Sequence, residues 1–312
     1  MGPAVAIPPG GKAWDRGFTA TTRDGVSLRC AAWTGGSKGL VLLLSGRTEF
    51  LEKMSVPAAG LVARGYDVVS LDWRGQGLSD RLLDPPIMGH VHEFADYHLD
   101  IEALLTAPEI GDLGPAKIML AHSMGGAIGL GAIHRMVFRP ELVIFSAPML
   151  GVKMSAIMRF ASKLVIWVAG LLGRMDRQPP LGNAKTPYVF EGFEGNVLTH
   201  DRAVFDWMVS ALKDRPRLQL GMPSIRWFDA AFREMDWLEA QTPPKIPSLF
   251  LRGGEEGVVD TGAIARAAEA FGADLVVVPG ARHEVLIETA EMRDAAWQAI
   301  DDFLDAQSVA SA

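Results

Sequence analysis

Short apolar runs alternate with longer segments of helical periodicity along most of the chain. Strands buried on both faces are predicted at 40–44, 67–71, 117–120, 142–146, 247–251 and 274–278. Helices are predicted at 53–64, 94–105, 264–271 and 289–304. Segments 18–22 and 26–33 flank an Asp24-Gly25 turn and predict an antiparallel hairpin. Because strands and helices alternate, we expect an α/β fold with a mostly parallel central sheet and helices on both faces.

The alternation stops in the segment 150–241. This segment is rich in Met, Trp and Phe and shows no strand periodicity. Proline and glycine at 179–182 and 220–223 divide it into helical pieces. We therefore predict a helical lid at 150–241, inserted into an α/β core whose two parts are 1–149 and 242–312.

Composition and charge exclude several classes of protein. The chain has 312 residues, of which 49% are apolar and 21% charged, as in a globular protein with a large core. A net charge of −7 without a dense Lys/Arg tract argues against nucleic-acid binding. The single cysteine, Cys30, excludes an intramolecular disulfide. The longest apolar run, 164–172, is too short to span a bilayer, and the N-terminus has no signal pattern, so we expect a cytoplasmic protein.

A serine lies where a predicted strand meets a helix of small residues. Ser123 follows the strand at 117–120 and precedes the small residues of 125–132. A sharp turn between strand and helix exposes a serine hydroxyl at the sheet edge, and small neighbours leave room for it. Ala121 and Gly125 occupy the two small positions, where the usual pattern has glycine at both. The alternative is an ordinary strand-to-helix turn.

A serine nucleophile needs a base and an orienting carboxylate. His283 lies in the loop after the last predicted strand, at the same sheet edge as Ser123. Its alternative role is to cap the following helix. The loop after the strand at 247–251 offers three carboxylates: Glu255, Glu256 and Asp260. Asp260 directly precedes a predicted helix, as a helix N-cap does.

The negative charge that develops on a reacting carbonyl oxygen requires N–H donors. One is expected from Met124, which follows the serine, and one from the loop 45–49, where Gly46 permits a tight backbone. The Arg47 N–H is the candidate in that loop.

Metal and cofactor sites are not predicted. The group His90, His92, Asp96 and His98 lacks an acidic residue at the spacing that dinuclear hydrolases use. The glycine-rich segment 35–39 precedes a strand and does not link a strand to a helix, so we interpret it as a turn and not as a phosphate loop.

Several motifs resemble those of α/β-hydrolases. The segment 72–79 follows the pattern Asp-x-Arg-Gly-x-Gly-x-Ser of that superfamily. Segments 45–49, 89–97, 146–149 and 196–199 are similar to the bacterial lysophospholipase and monoacylglycerol lipase branch. The resemblance extends from about residue 18 to about residue 304.

This resemblance implies an α/β-hydrolase fold and roles for individual residues. Ser123 corresponds to the nucleophile, His283 to the base and Glu256 to the acid, a position that is often Asp but is Glu in lysophospholipase-like members. The oxyanion N–H groups correspond to Arg47 and Met124. The chain departs from the family pattern at two positions, with Ser45 in place of the usual His and Ala121 in place of glycine. Neither departure removes a catalytic group, but both weaken the inference of the exact substrate from the family.

The resulting expectation is a cofactor-independent serine carboxylic-ester hydrolase acting on monoacyl lipids through an acyl-enzyme, foremost a lysophospholipase. Alternatives are a monoacylglycerol lipase, a broad short-chain esterase, or a catalytically silent binding protein of the same fold. The expected partners are a small ester or monoacyl lipid and, transiently, a membrane surface that the lid contacts. The sequence leaves the oligomeric state open.

The first predicted lid helix lies within 152–173, where all three charged residues are basic. Its large apolar residues recur every three or four positions along one stripe: Ile157, Phe160, Leu164, Trp167, Val168 and Leu171. Two interpretations stay open. Either the stripe packs against the core, or it covers the serine and accepts an acyl chain near lipid head groups.

Overall fold

A computed structural model describes residues 1–180 and 187–310. Within them, eight strands form one sheet in the order β1-β2-β4-β3-β5-β6-β7-β8. The strands are β1 Arg16–Thr21, β2 Ser27–Trp33, β3 Leu40–Leu44, β4 Asp67–Leu71, β5 Ala116–His122, β6 Leu142–Ser146, β7 Ser248–Gly253 and β8 Asp274–Val278. The helices are α1 Leu51–Ala63, α2 Tyr97–Leu105, α3 Met124–His134, α4 Ala156–Leu171, α5 Arg202–Asp214, α6 Ile225–Glu239, α7 Thr261–Phe271 and α8 Ala290–Ala310.

The sheet is parallel from β4 to β8 in spatial order, and β1 and β2 add an antiparallel hairpin at one edge. The predicted hairpin and each predicted strand therefore occur, with ends that differ by a few residues. Parallel strands leave their carboxyl ends at one edge, and the loops that follow β3, β5, β7 and β8 meet there.

Apolar side chains on the two faces of the sheet form two separate cores. Leu42 and Leu44 of β3 belong to the core under α2, α3 and α7, whereas Val41 and Leu43 belong to the core under α1 and α8. Continuous apolar runs are required in the central strands because both faces are covered. The predicted layered architecture is confirmed.

The chain between β6 and β7 contains α4, α5 and α6 in its described part. Helix α6 packs against α3, and α4 packs on α6. A third apolar cluster joins α5 to the core through Phe50, Phe205, Met208 and Leu212. The predicted break at 179–182 lies partly outside the described residues, which omit 181 and 182.

The apolar stripe of α4 faces outward. The exposed fraction of its six side chains ranges from 39% for Val168 to 82% for Ile157. The interpretation that the stripe packs against the core is therefore wrong, whereas its contact with an acyl chain stays a prediction. The opposite side of the helix, which includes Ala169 and Ile166, packs on the protein, because α4 is apolar on both sides. Sequence periodicity identified the stripe but not the side that it faces.

Within residues 1–180 and 187–310, no helix combines the length and the apolar character needed to cross a bilayer.

Candidate active site

Ser123 occupies the sharp turn between β5 and α3. Its backbone has φ 50° and ψ −119°, a conformation that residues other than glycine rarely adopt. Its N–H donates to the carbonyl oxygen of Ser146 at 3.0 Å, and its own carbonyl oxygen accepts from the N–H of Met149 at 2.8 Å. A Cβ at Gly125 would lie 2.6 Å from the carbonyl oxygen of Leu44. Glycine is needed there because the helix starts directly against β3.

Three side chains from three loops form a chain of hydrogen bonds. The distance between Ser123 Oγ and His283 Nε2 is 3.0 Å, and that between His283 Nδ1 and Glu256 Oε2 is 2.8 Å. A carboxylate only accepts, so Nδ1 carries the hydrogen and Nε2 of the neutral ring is free to accept from the serine hydroxyl. All three residues are buried. The arrangement can transfer a proton from the hydroxyl to the imidazole.

The carboxylate of Glu256 is held by its own loop. Its Oε1 accepts from the N–H of Val258 at 2.6 Å and from that of Val259 at 3.1 Å. Burial raises the pKa of Glu256, but the hydrogen bond and charge of His283 and these two N–H donors lower it below its usual value overall. Glu256 is therefore ionised at neutral pH.

The other two carboxylates of this loop lie elsewhere. Asp260 is the N-cap of α7, where Oδ1 accepts from the N–H of Gly262 at 2.8 Å and from that of Ala263 at 3.2 Å. Glu255 is exposed, with Oε2 3.5 Å from His200 Nε2. Neither contacts His283 among the described contacts, so the geometry favours Glu256 as its partner.

The loop after β3 approaches Ser123 closely. A Cβ at Gly46 would lie 3.0 Å from the Cβ of Ser123, so a side chain there would crowd the serine and require its neighbours to shift by a few tenths of an ångström. The Gly46 N–H donates to the Glu49 carboxylate, and its carbonyl oxygen accepts from Gln76 Nε2 at 2.9 Å. Within the described residues, the N–H groups of Arg47 and Met124 donate to no protein acceptor. Both therefore stay available to a ligand.

A buried ion cluster that sequence analysis missed lies beside these loops. Lys53 Nζ lies 2.8 Å from Glu49 Oε1 and 2.6 Å from Glu284 Oε1. Burial lowers the pKa of Lys53, but the two carboxylates outweigh it and raise the pKa. Burial raises the pKa of Glu284, but the charges of Lys53 and His122 hold it well below its usual value. The only signal in the sequence is that Glu49 lies in the predicted oxyanion loop 45–49 and that Glu284 directly follows His283.

His122 connects this cluster to His283. Its Nδ1 donates to the Ser146 carbonyl oxygen at 3.0 Å, and its Nε2 lies 3.4 Å from Glu284 Oε2. The two imidazole rings lie 4.8 Å apart. Burial lowers the pKa of His122, but Glu284 and Glu49 outweigh it and raise the pKa above its usual value. The imidazole of His122, whose protonated form these carboxylates favour, thus lies next to the ring that contacts Ser123.

The loop that carries His283 is anchored to the segment 196–199, one of the family-like motifs. The N–H of His283 donates to the carbonyl oxygen of Val197 at 3.3 Å, and the N–H of Glu284 donates to that of Leu198 at 2.9 Å. Asn196 Oδ1 shapes the motif by accepting from the N–H groups of Leu198 and Thr199. The motif therefore positions the histidine loop.

Two groups of side chains contain residue types that could bind a metal ion. His90 Nδ1 pairs with Ser224 Oγ at 2.8 Å. Among the described residues, Glu49, His122 and Glu284 alone bring three suitable ligand atoms together, within 4.8 Å of one another. The Lys53 ammonium lies between the two carboxylates and already supplies the positive charge. These residues therefore do not fit a metal ion.

Residues 35–290 match the Hydrolase_4 family, described as serine aminopeptidase, S33. The chain belongs to this family. Lysophospholipase L2 of Escherichia coli (strain K12) is 31% identical over 275 residues, which cover 85% of this chain and 80% of that protein. The probable lysophospholipase L2 of Haemophilus influenzae is 29% identical over 271 residues, which cover 86% of this chain and 84% of that protein.

Two solved structures share the fold. A soluble variant of monoglyceride lipase from Saccharomyces cerevisiae has a TM-score of 0.70 at 18% identity and covers 97% of each chain. Monoacylglycerol lipase of Paleococcus ferrophilus has a TM-score of 0.66 at 20% identity and covers 89% of this chain and 98% of that chain. The predicted α/β-hydrolase fold is confirmed, as is the prediction of a carboxylic ester hydrolase from this branch of the superfamily.

The hydrolase has a cavity of about 370 Å³ at the Ser123–His283 pair. Its charged lining consists of the residues already described, together with the side chain of Arg47. Most of its wall is apolar and includes Phe50, Met149, Met208, Leu212, Trp227 and Phe228. Phe228 also lines a second cavity, of about 280 Å³, between α4 and α6. An apolar ligand bound at Ser123 therefore has apolar space next to it.

Proposed function

We propose that this hydrolase cleaves the ester of monoacyl lipids, foremost lysophospholipids, with Ser123 as nucleophile, His283 as general base and Glu256 as the orienting acid. The observation that carries the proposal is the pair of hydrogen bonds of 3.0 Å and 2.8 Å that joins the three side chains. Serine, histidine and carboxylate in this order and geometry activate the hydroxyl for acyl transfer. A catalytically silent protein would not require all three side chains in this hydrogen-bonded geometry.

Acylation follows from this arrangement. Ser123 Oγ attacks the ester carbonyl carbon while its proton moves to His283 Nε2, and the resulting oxyanion accepts from the N–H groups of Arg47 and Met124. As the tetrahedral intermediate collapses, the bond to the leaving alkoxide breaks and His283 returns the proton to it. Water then repeats the sequence on the acyl-enzyme, releasing the fatty acid. Glu256 stabilises the imidazolium in both halves.

A single acyl chain is the substrate feature that the cavities support. The cavity at Ser123 and the cavity between α4 and α6 share Phe228 in their linings, and in this proposal a chain that leaves the ester continues past Phe228 under the helical segment 150–241. In this proposal the segment is a lid. Burial of each further CH₂ contributes about 0.8 kcal/mol, so selectivity for long chains follows. Lysophospholipase is placed before monoacylglycerol lipase because two relatives, at 31% and 29% identity, are named lysophospholipase L2 and probable lysophospholipase L2.

The outward face of α4 supports transient docking on a membrane. Between residues 150 and 175 the charged side chains are all basic, namely Lys153, Arg159, Lys163 and Arg174, in a chain of net charge −7. Lys163 lies 3.7 Å from Asp236, and both side chains are exposed. An exposed apolar stripe with basic flanks matches the interface of an anionic bilayer. Docking would place the lid cavity at the source of the lipid.

The deciding experiment compares three classes of ester on the purified wild type: a lysophospholipid, a monoacylglycerol with the same acyl chain, and p-nitrophenyl esters of increasing length. We expect the highest kcat/KM on the lysophospholipid and a rise with acyl length. A maximum on the shortest p-nitrophenyl ester would indicate a broad esterase. Labelling by a fluorophosphonate tests the nucleophile separately, and we expect it to be lost in Ser123→Ala. A wild-type protein that neither reacts with the fluorophosphonate nor hydrolyses any of these esters would be a catalytically silent protein.

A further inference from the structure

The catalytic cavity contains an arginine without a carboxylate partner. Arg47 lines the cavity, and no ion pair joins its guanidinium to an acidic residue of the described chain. The segment 181–186, which the description omits, contains no Asp or Glu in its sequence. Lys53, in the same lining, is paired with Glu49 and Glu284, and His122 Nε2 lies 3.4 Å from Glu284 Oε2. Arg47 is the exception.

The surroundings of the guanidinium leave much of its donor capacity unused. Nη2 donates to the carbonyl oxygen of Gly221, and the ring of Trp227 lies 5.4 Å from Cζ. Nε is buried and has no hydrogen-bond partner among the described residues. Desolvation lowers the pKa of Arg47 to about 10, so the group is still charged at neutral pH. A desolvated cation is costly unless an anion pairs with it.

The position of Arg47 relative to the ester restricts which anion it meets. Its backbone N–H lies in the loop beside Ser123, and its side chain extends from there towards Gly221 and Trp227. Arg47 and Ser123 line the same cavity, so an anionic group close to the ester in the same substrate molecule could meet the guanidinium. In a lysophospholipid the glycerol unit links the ester to a phosphodiester. A monoacylglycerol has a hydroxyl at the same place.

We propose that the Arg47 guanidinium binds the phosphate of the lysophospholipid head group and thereby selects phospholipid over neutral monoacyl substrates. The inference rests on the proposed ester hydrolysis at Ser123. The planar guanidinium matches a phosphate bidentately, which a lysine ammonium does not. The proposed role of Arg47 in the oxyanion site uses its backbone N–H and is independent of its side chain.

The test is a ratio of specificity constants. Lysophosphatidylglycerol and monoacylglycerol with the same acyl chain are dispersed in one neutral detergent, and kcat/KM is measured for wild type, Arg47→Lys and Arg47→Met. Damage to the oxyanion N–H affects both substrates and cancels in the ratio. We expect the ratio of lysophospholipid to monoacylglycerol to fall by roughly 10- to 100-fold in Arg47→Met, as for loss of a charged hydrogen bond. Arg47→Lys should lie between the two. A ratio equal to that of wild type in Arg47→Met overturns the inference.

A binding measurement on wild type covers the case in which the variants do not fold. By calorimetry, sn-glycerol 3-phosphate should bind at least about 10-fold more tightly than glycerol. Equal affinities for sn-glycerol 3-phosphate and glycerol overturn the inference. If inorganic phosphate binds as tightly as sn-glycerol 3-phosphate, the guanidinium binds free phosphate, and the head-group assignment is overturned. Failure of the proposed function gives a different result. Wild type would then hydrolyse neither the lysophospholipid nor the monoacylglycerol, regardless of its affinity for sn-glycerol 3-phosphate.

Discussion

The carboxylate of Glu284 lies 2.6 Å from the ammonium of Lys53, although 231 residues separate them in the chain. Glu284 directly follows His283, and the other partner of Lys53 is Glu49, which holds the Gly46 N–H. One buried ammonium therefore joins the histidine loop to the loop that offers the Arg47 N–H. In the proposed mechanism these two loops carry the general base and one oxyanion donor.

The first prediction concerns the cost of removing that ammonium. Lys53→Met should lower the free energy of unfolding by about 3–5 kcal/mol, because Glu49 and Glu284 become unpaired buried carboxylates. Urea denaturation measures the change. Lys117→Met is the matched control, since Lys117 pairs with Glu141 at the exposed surface and should change stability little. Equal stabilities of the two variants would show that the cluster contributes nothing.

Acid sensitivity should depend on Glu284. Its pKa in the folded protein lies well below its usual value of 4.5, so its contribution to stability is present above about pH 4.5 and is lost as the pH falls through the folded value. Between about pH 5 and about pH 3, the free energy of unfolding should fall less steeply in Glu284→Gln than in wild type. Glu141→Gln, at the exposed pair, should keep the wild-type slope. Identical slopes in all three proteins would contradict the assignment.

Removal of the nucleophile should abolish turnover and leave the fold. Ser123→Ala should lower kcat by up to about 10⁶-fold, as in other serine hydrolases, with a thermal melt close to that of wild type. Ester turnover followed by release of fatty acid measures the loss. Residual activity near that of wild type would mean that another group attacks the ester.

The acid assignment separates two neighbouring carboxylates. Glu256→Gln removes the charge that orients His283 and should lower kcat by about 10⁴-fold. Asp260→Asn weakens the N-cap of α7 and should cost about 1 kcal/mol of stability or less, with nearly normal turnover. Both variants are assayed for kcat and for urea stability. An inactive Asp260→Asn beside an active Glu256→Gln would reverse the assignment.

The outward stripe of α4 should act in membrane binding and not in folding. Trp167 is 62% exposed, so Trp167→Ser should leave the thermal melt unchanged but reduce co-sedimentation with vesicles that contain anionic phosphatidylglycerol. Met136→Ser, at another exposed apolar residue outside the segment, is the control and should bind as wild type does. If both variants bind the vesicles equally, or if wild type does not bind them, the stripe does not act in membrane binding.

Local patterns were sufficient to predict the sheet, the position of Ser123 and the loops that bring His283 and three carboxylates to one edge. The physical reason is that strand burial, turn chemistry and strand order each depend on neighbouring residues, and parallel strands bring their carboxyl ends together. Between Glu256 and Asp260, the residues alone left the choice open. Resemblance indicated Glu256, and in the folded chain only Glu256 of the two contacts His283.

Tertiary structure alone revealed the ion cluster of Lys53, the outward direction of the α4 stripe and, among the residues that the structure describes, the lack of a carboxylate beside Arg47. Partners such as Lys53 and Glu284 are far apart in the chain, and a charge pattern read along the sequence does not show which charges meet in the interior. Helix α4 is apolar on both sides, so its periodicity identifies two faces without ranking them. Which face is covered depends on the neighbouring surface of α6, and that surface exists only once the chain has folded.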